Sequence, residues 1–157
     1  MKRTMPAQKP GRSEQVVVTP DEFMRAVKSR LGIDHFCIDL AANDKNTKAN
    51  RYYSSEVDSL VHNWRRAVPS GWAWLNPPYS DICPWVQKAL LSGRHIAVLV
   101  PASVGSNWWR DYVHDQAFVL FLNGRIQFEG HTTGYPKDLA LILYGLEPGY
   151  DIWRWKE

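Results

Sequence analysis

The chain of 157 residues has no apolar run near the roughly 20 residues needed to cross a bilayer, so a membrane span is not expected. Only two cysteines occur, Cys37 and Cys83, each in or beside an apolar segment, which excludes a disulfide framework and a zinc ribbon and fits a reducing cytoplasm. The five histidines show neither metal-ligand spacing nor a partnered nucleophile, and no metal is expected. Residues 1–12 are basic and proline-containing but lack the apolar core of a secretory signal, so residues 1–15 read as a flexible basic arm ahead of a single domain at 16–157. Charge is also sparse: a formal net of +3 permits nucleic-acid binding without demanding it.

What is present is a globular composition, 45% hydrophobic, with eight tryptophans. Thr19-Pro20-Asp21-Glu22 has the form of a capping box, and Phe23, Val27 and Leu31 then mark one face of a helix that Gly32 ends. Residues 35–41 read as a short buried strand, 52–53 as a weak one, and 58–67 as helical or irregular. Residues 72–75, 95–100, 118–122 and 139–144 are apolar enough for buried strands. Ile82, Trp85, Val86, Ala89 and Leu90 give one intervening helix its apolar face, and Ser106 can cap another. Strands alternating with helices predict an α/β fold with a doubly wound, mostly parallel sheet, whose ligands bind outside the carboxyl ends of the strands. The polar stretch 124–137 is long for a compact domain, and loops of that length are commonly functional.

One predicted strand end carries unusual chemistry. Trp72-Ala73-Trp74-Leu75 runs directly into Asn76-Pro77-Pro78-Tyr79. Two consecutive prolines have fixed φ and no N–H, so they hold a stiff turn with an amide, outward carbonyls and an aromatic ring in set relation. Asn76 Oδ1 and the Pro77 carbonyl can each accept one N–H of an exocyclic amino group while Tyr79 stacks on the ring that bears it. A proline turn after a core strand is the plainer reading of the same four residues.

This acceptor and aromatic series resembles motif IV of amino-group methyltransferases. Its setting narrows the likeness: Thr19-Pro20, Asp39-Leu40-Ala41-Ala42, Tyr52-Tyr53, Asp58 and Trp64 precede it, and Trp85, Val98-Leu99-Val100-Pro101-Ala102, Trp108-Trp109 and Arg125-Ile126-Gln127-Phe128 follow. In this order, from about residue 19 to 144, the chain resembles the phage-type DNA N6-adenine methyltransferases. The resemblance implies a compact Rossmann-like fold of the class I methyltransferase kind, S-adenosylmethionine as cofactor and DNA as partner. It further implies that methyl transfer to N6 of a flipped adenine is the activity. Protection of phage DNA against restriction is a purpose it would fit.

Carried over residue by residue, the resemblance places catalysis at Asn76, Pro77, Pro78 and Tyr79. Cofactor contacts fall on Thr19, Pro20, Asp39, Leu40, Ala41, Ala42 and Asp58, with Glu56 as competitor for the last. Thr19 and Asp58 read equally well as helix caps, and the usual glycine-rich cofactor loop is absent, only Gly32 lying nearby. Phe128 is the expected second wall against the base and Arg125 a phosphate contact, with Lys45, Lys48 and Arg51 as further phosphate contacts or simply a solvated loop. Two other readings stand beside this one. The same motif occurs in methyltransferases that act on an RNA base or a glutamine amide, and the altered cofactor loop fits a catalytically silent nucleic-acid-binding module.

Overall fold

The apolar runs pair into one six-stranded sheet in the order β1-β2-β3-β5-β4-β6. The strands are β1 (Ile38–Asp39), β2 (Trp72–Leu75), β3 (His95–Pro101), β4 (Phe118–Asn123), β5 (Leu139–Tyr144) and β6 (Gly149–Arg154). This computed structural model describes residues 18–54 and 58–156; the predicted basic arm and Glu56 lie outside the described residues. β1, β2 and β3 are parallel neighbours, as are β4 and β6, while β5 runs antiparallel to β3 and β4. The sheet is therefore mostly parallel, with one reversed strand.

Alternation along each central strand sends side chains into two separate cores. Ala73, Leu75, Ile96, Val98, Val100, Ala140 and Ile142 pack against Trp64, Val86, Ala89 and Trp109. These come from the helices α2 (Trp64–Ala67), α3 (Cys83–Ser92) and α4 (Asn107–Tyr112). On the other face Trp72, Trp74, Ala97, Leu99, Leu141 and Leu143 meet Phe23, Met24 and Val27 of α1 (Asp21–Leu31), together with Ile126, Phe128 and Trp155. Because both faces are covered, the central strands are apolar at nearly every position rather than at alternate ones. None of the helices among the described residues is long and apolar enough to cross a membrane.

Strand direction decides what meets at the site. β1, β2 and β3 end at the same edge of the sheet. Reversal of β5 brings its first residue to that edge too, where Leu139 pairs with Pro101 and the Ala102 N–H donates to the Asp138 carbonyl at 2.9 Å. The loops after β1, β2, β3 and β4 therefore share one rim.

Four local expectations need correction. The capping box does not form: Pro20 is the N-cap of α1 without a side-chain cap bond, and Thr19 is buried instead. Gly32 does end α1, in the left-handed region at φ 67°. The strand expected at 35–41 narrows to two residues, since Asp39 Oδ1 accepts the Ala41 N–H at 3.1 Å and turns the chain off the sheet. Tyr52 makes a single parallel bridge with Asp39 rather than a strand. Ser106 stands at the N-cap of α4, but its hydroxyl donates back to the Ser103 carbonyl at 2.6 Å and does not cap.

β6 escapes a reading by alternation because its apolar Tyr150 and Ile152 are exposed. The tail after it is anchored by Trp155, whose ring meets Phe23 edge-on at 5.1 Å and whose indole N–H donates to the Gly124 carbonyl at 2.7 Å. Trp155→Ala is expected to destabilise the fold by about 3–5 kcal/mol in urea unfolding, the usual cost of emptying a buried tryptophan site. Trp155→Phe keeps most of the packing and loses only the hydrogen bond, so it should cost about 1–2 kcal/mol.

Candidate active site

β2 stops where its backbone donors stop. After Leu75, Pro77 and Pro78 cannot donate to a neighbouring strand, and the Pro78 carbonyl is taken by the Asp81 N–H at 3.3 Å, closing a tight turn ahead of α3. The turn leaves two polar atoms stranded. Among the described residues, Asn76 Oδ1 and the Tyr79 hydroxyl are buried with no hydrogen-bond partner. Each such group costs roughly 1–3 kcal/mol, so two within four residues mark a place where the partner comes from outside the chain. Burial, and after it the neighbouring Tyr135, holds the Tyr79 phenol well above its ordinary pKa, so it stays a neutral hydroxyl.

These two residues wall a cavity of about 650 Å³, within the range of small-molecule and cofactor sites. The cavity draws on four separated parts of the chain. Thr19 comes from the segment before α1, Asp39, Ala41 and Lys48 from the end of β1 and the loop after it, residues 76–79 from the proline turn, and Phe128 to Pro136, except Thr132, from the loop after β4. An antiparallel bridge between Val18 and Glu129 ties the first of these to the last, beside Thr19.

Asp39 is the buried acid of the site, 2% exposed. Its Oδ1 accepts from Ala41 N, and its Oδ2 accepts from Lys48 N at 2.9 Å. Burial pushes its pKa up to about 7, against the opposing pull of those two backbone donors and of the Lys48 charge. The Lys48 ammonium itself lies 3.8 Å from Asp21 in the first turn of α1.

The loop after β4 is internally bonded rather than loose. Tyr135 N–H donates to the Ile126 carbonyl at 2.7 Å, His131 N–H to the Phe128 carbonyl at 3.1 Å, and the Gln127 side chain to the His131 carbonyl at 2.7 Å. Tyr135 stands edge-on to both Tyr79 and Phe128, with ring centroids 5.9 and 5.7 Å away.

Of the residues singled out from sequence, Thr19, Asp39, Ala41, Lys48, Asn76, Pro77, Pro78, Tyr79 and Phe128 come together around the cavity. The others stand elsewhere. Pro20 opens α1, and Leu40 and Ala42 turn into the core, their N–H groups donating to the Trp74 and Tyr53 carbonyls. Asp58 caps the 3-10 turn Ser59–Val61 by accepting from Leu60 N at 3.1 Å. Lys45 and Arg51 are exposed on the loop after β1. Arg125 is exposed, and its guanidinium is spent on the Tyr135 carbonyl and Asp138. Tyr135 was missed from sequence; its only signal was membership of a long loop rich in glycine and threonine.

Fold and site together define an α/β protein with a cavity of cofactor size at the edge of the sheet where β1, β2 and β3 end, walled by the buried Asn76 Oδ1 and Tyr79 hydroxyl. The family described as DNA N-6-adenine-methyltransferase (Dam) matches residues 8–140, and the chain belongs to that family. It is 29% identical over 134 residues to the DNA N-6-adenine-methyltransferase of Escherichia phage T1, covering 83% of this chain and 54% of the relative. With the DNA N-6-adenine-methyltransferase of Haemophilus phage HP1 it shares 27% identity over 108 residues, 66% of this chain and 60% of the relative. The chain thus spans just over half the length of the curated relatives it matches.

The raised pKa of Asp39 makes a stability prediction for the ligand-free protein. A carboxyl with a higher pKa folded than unfolded contributes stability that is full below the unfolded value near 3.8 and lost as pH rises through about 7. Urea unfolding from pH 4 to 8 should show this decline, at up to about 1.4 kcal/mol per pH unit. Asp39→Asn removes the titration and should flatten the curve in that window, whatever its constant offset.

Proposed function

We propose that the chain is a DNA methyltransferase acting on N6 of adenine, with S-adenosylmethionine as methyl donor, on a Rossmann-like doubly wound sheet of the class I methyltransferase kind. Family membership supports the reading, and the buried, partnerless Asn76 Oδ1 is the single observation that carries it. An amide oxygen buried beside a stiff proline turn, with no donor within the described residues, is the acceptor an exocyclic amine needs. A thymine or guanine edge, with a carbonyl at the corresponding place, would set oxygen against oxygen.

The residues present fit the cofactor. Ala41 is small enough to allow close approach after β1, buried Asp39 offers carboxylate oxygens to a cationic group, and the cavity is continuous from there to Asn76. When bound, S-adenosylmethionine supplies a methyl group already activated on a sulfonium. Asn76 Oδ1 and the Pro77 carbonyl then hold the two N–H bonds of the amine, turning its lone pair out of the ring plane. Tyr79 carries the base on its face, and Phe128 closes the hydrophobic wall. Extrusion of the adenine from the duplex costs a few kcal/mol, which stacking and the two acceptors offset. Rate acceleration then comes chiefly from alignment, since the chain brings nitrogen and methyl into line; as the N–C bond forms the sulfonium would leave as a neutral thioether, and the amine would lose one proton to solvent. Lys45 and Arg51 on the same rim serve as phosphate contacts in this reading.

Asn76→Ala should lower methyl transfer to DNA by at least about two orders of magnitude, comparable to losing one well-placed transition-state hydrogen bond. Transfer of labelled methyl checks this; a folded variant with near wild-type rate removes the proposed role. Tyr79→Phe deletes a hydroxyl that has no partner, so the ligand-free protein should be as stable as wild type or more so, by up to about 1 kcal/mol in urea unfolding.

A further inference from the structure

Arg125 does not line the cavity, yet it shapes the wall that does. Its Nη1 donates to the Tyr135 carbonyl at 3.0 Å, and its Nη2 lies 3.5 Å from Asp138 Oδ1. The stem is engaged as well: a Cβ on Gly134 would stand 2.9 Å from the Arg125 Cβ, so only glycine fits there without displacement. The Tyr135 N–H is bound one residue along, on the Ile126 carbonyl. Both backbone polar groups of Tyr135 are thereby tied to the strand of chain that leaves β4.

The ring delivered by this arrangement makes a 72° angle with Tyr79 and an 87° angle with Phe128. A base lying flat on Tyr79 would be parallel to it. Tyr135, standing steeply to that plane 5.9 Å away, is not a second stacking face for such a base, and the contact open to it is with the rim. A barrier at the rim limits sliding and rotation within the stack, the motion that would carry an exocyclic amine away from Asn76 Oδ1. Misplacement of about 1 Å is enough to cost on the order of a hundredfold in rate.

We propose that Tyr135 sets the in-plane position of the flipped adenine and that Arg125 is a positioning residue, its guanidinium fixing Tyr135 rather than contacting DNA phosphate. This rests on the adenine-methyltransferase reading above for the identity of the base. The two contacts use separate nitrogens of the guanidinium, Nη1 on the carbonyl and Nη2 facing the carboxylate, a spread that the single ammonium nitrogen of a lysine does not have.

The test compares wild type with Arg125→Ala, Arg125→Lys, Tyr135→Ala and the Arg125→Ala/Tyr135→Ala double variant, each checked for folding by thermal melting. Wild-type protein that forms no N6-methyladenine in DNA would sink the functional reading itself, separately from this inference. With an active wild type, Tyr135→Ala should lower kcat on the order of 10- to 100-fold while the KM for DNA stays within about twofold. Arg125→Ala should act in the same direction, Arg125→Lys should fail to rescue it, and the double variant should be no worse than Tyr135→Ala alone, as expected for residues acting through one another. The salt dependence of DNA binding, measured without turnover, should be the same for wild type and both Arg125 variants. A slope reduced by about one counterion in Arg125→Ala and restored in Arg125→Lys would make Arg125 a phosphate contact and overturn the proposal. Wild-type kcat in Arg125→Ala and Arg125→Lys would overturn it equally.

Discussion

Pro77 and Pro78 cannot donate backbone hydrogen bonds, and much of the site follows from that constraint. β2 lies between β1 and β3 with all four of its residues buried, so its end is held rigidly. At Pro77 the chain must leave the sheet, and it does so with two fixed φ angles in succession. Asn76 and Tyr79 stand on either side of this step, one holding its amide oxygen and the other its hydroxyl in a buried place without partners. Left to itself the chain would relax such groups towards water or a donor. A turn this stiff, on a strand this well buried, prevents it.

The reversed strand β5 matters to the site as much as the parallel ones. In a wholly parallel sheet the connection leaving β4 would have to cross to the opposite edge before the next strand began. Because β5 is antiparallel, residues 124–138 both leave and re-enter at the edge where β1, β2 and β3 end. The middle of the loop, from Phe128 to Pro136, therefore lies over the cavity, bridges back to Val18, and brings Phe128 and Tyr135 against Tyr79. Asp39 completes the enclosure from the β1 side, buried and accepting from the backbone N–H groups of Ala41 and Lys48.

The parts of this arrangement legible in the sequence were those with strong local signals. The runs at 72–75, 95–100 and 139–144 have few alternatives to burial, and a Pro-Pro step after one of them can only be a turn. Tertiary context decided the rest. Thr19 has the residue type of a helix cap, but its place beside the Val18–Glu129 bridge buries it in the cavity wall and leaves Pro20 at the N-cap position with no side-chain cap bond. Asp58 could be read as a ligand contact or a cap, and the structure has it capping the turn at Ser59. Arg125 looked available for phosphate because nothing in its neighbours announces that Tyr135 and Asp138, ten and thirteen positions on, return to meet it. β6 was invisible for a different reason: an edge strand parallel to β4, with Tyr150 and Ile152 facing out and Trp153 alone packed on the core, has neither the continuous run nor the inward alternation that marks a strand.

The account stands on the claim that the turn at Asn76 grips the amino group of adenine in DNA. Its most direct measurement is nucleoside mass spectrometry of unmethylated DNA after incubation with the protein and S-adenosylmethionine. N6-methyladenine should accumulate with time and with cofactor, and no other methylated nucleoside should appear. Methylation confined to cytosine, or to RNA or protein supplied in parallel, would contradict the account.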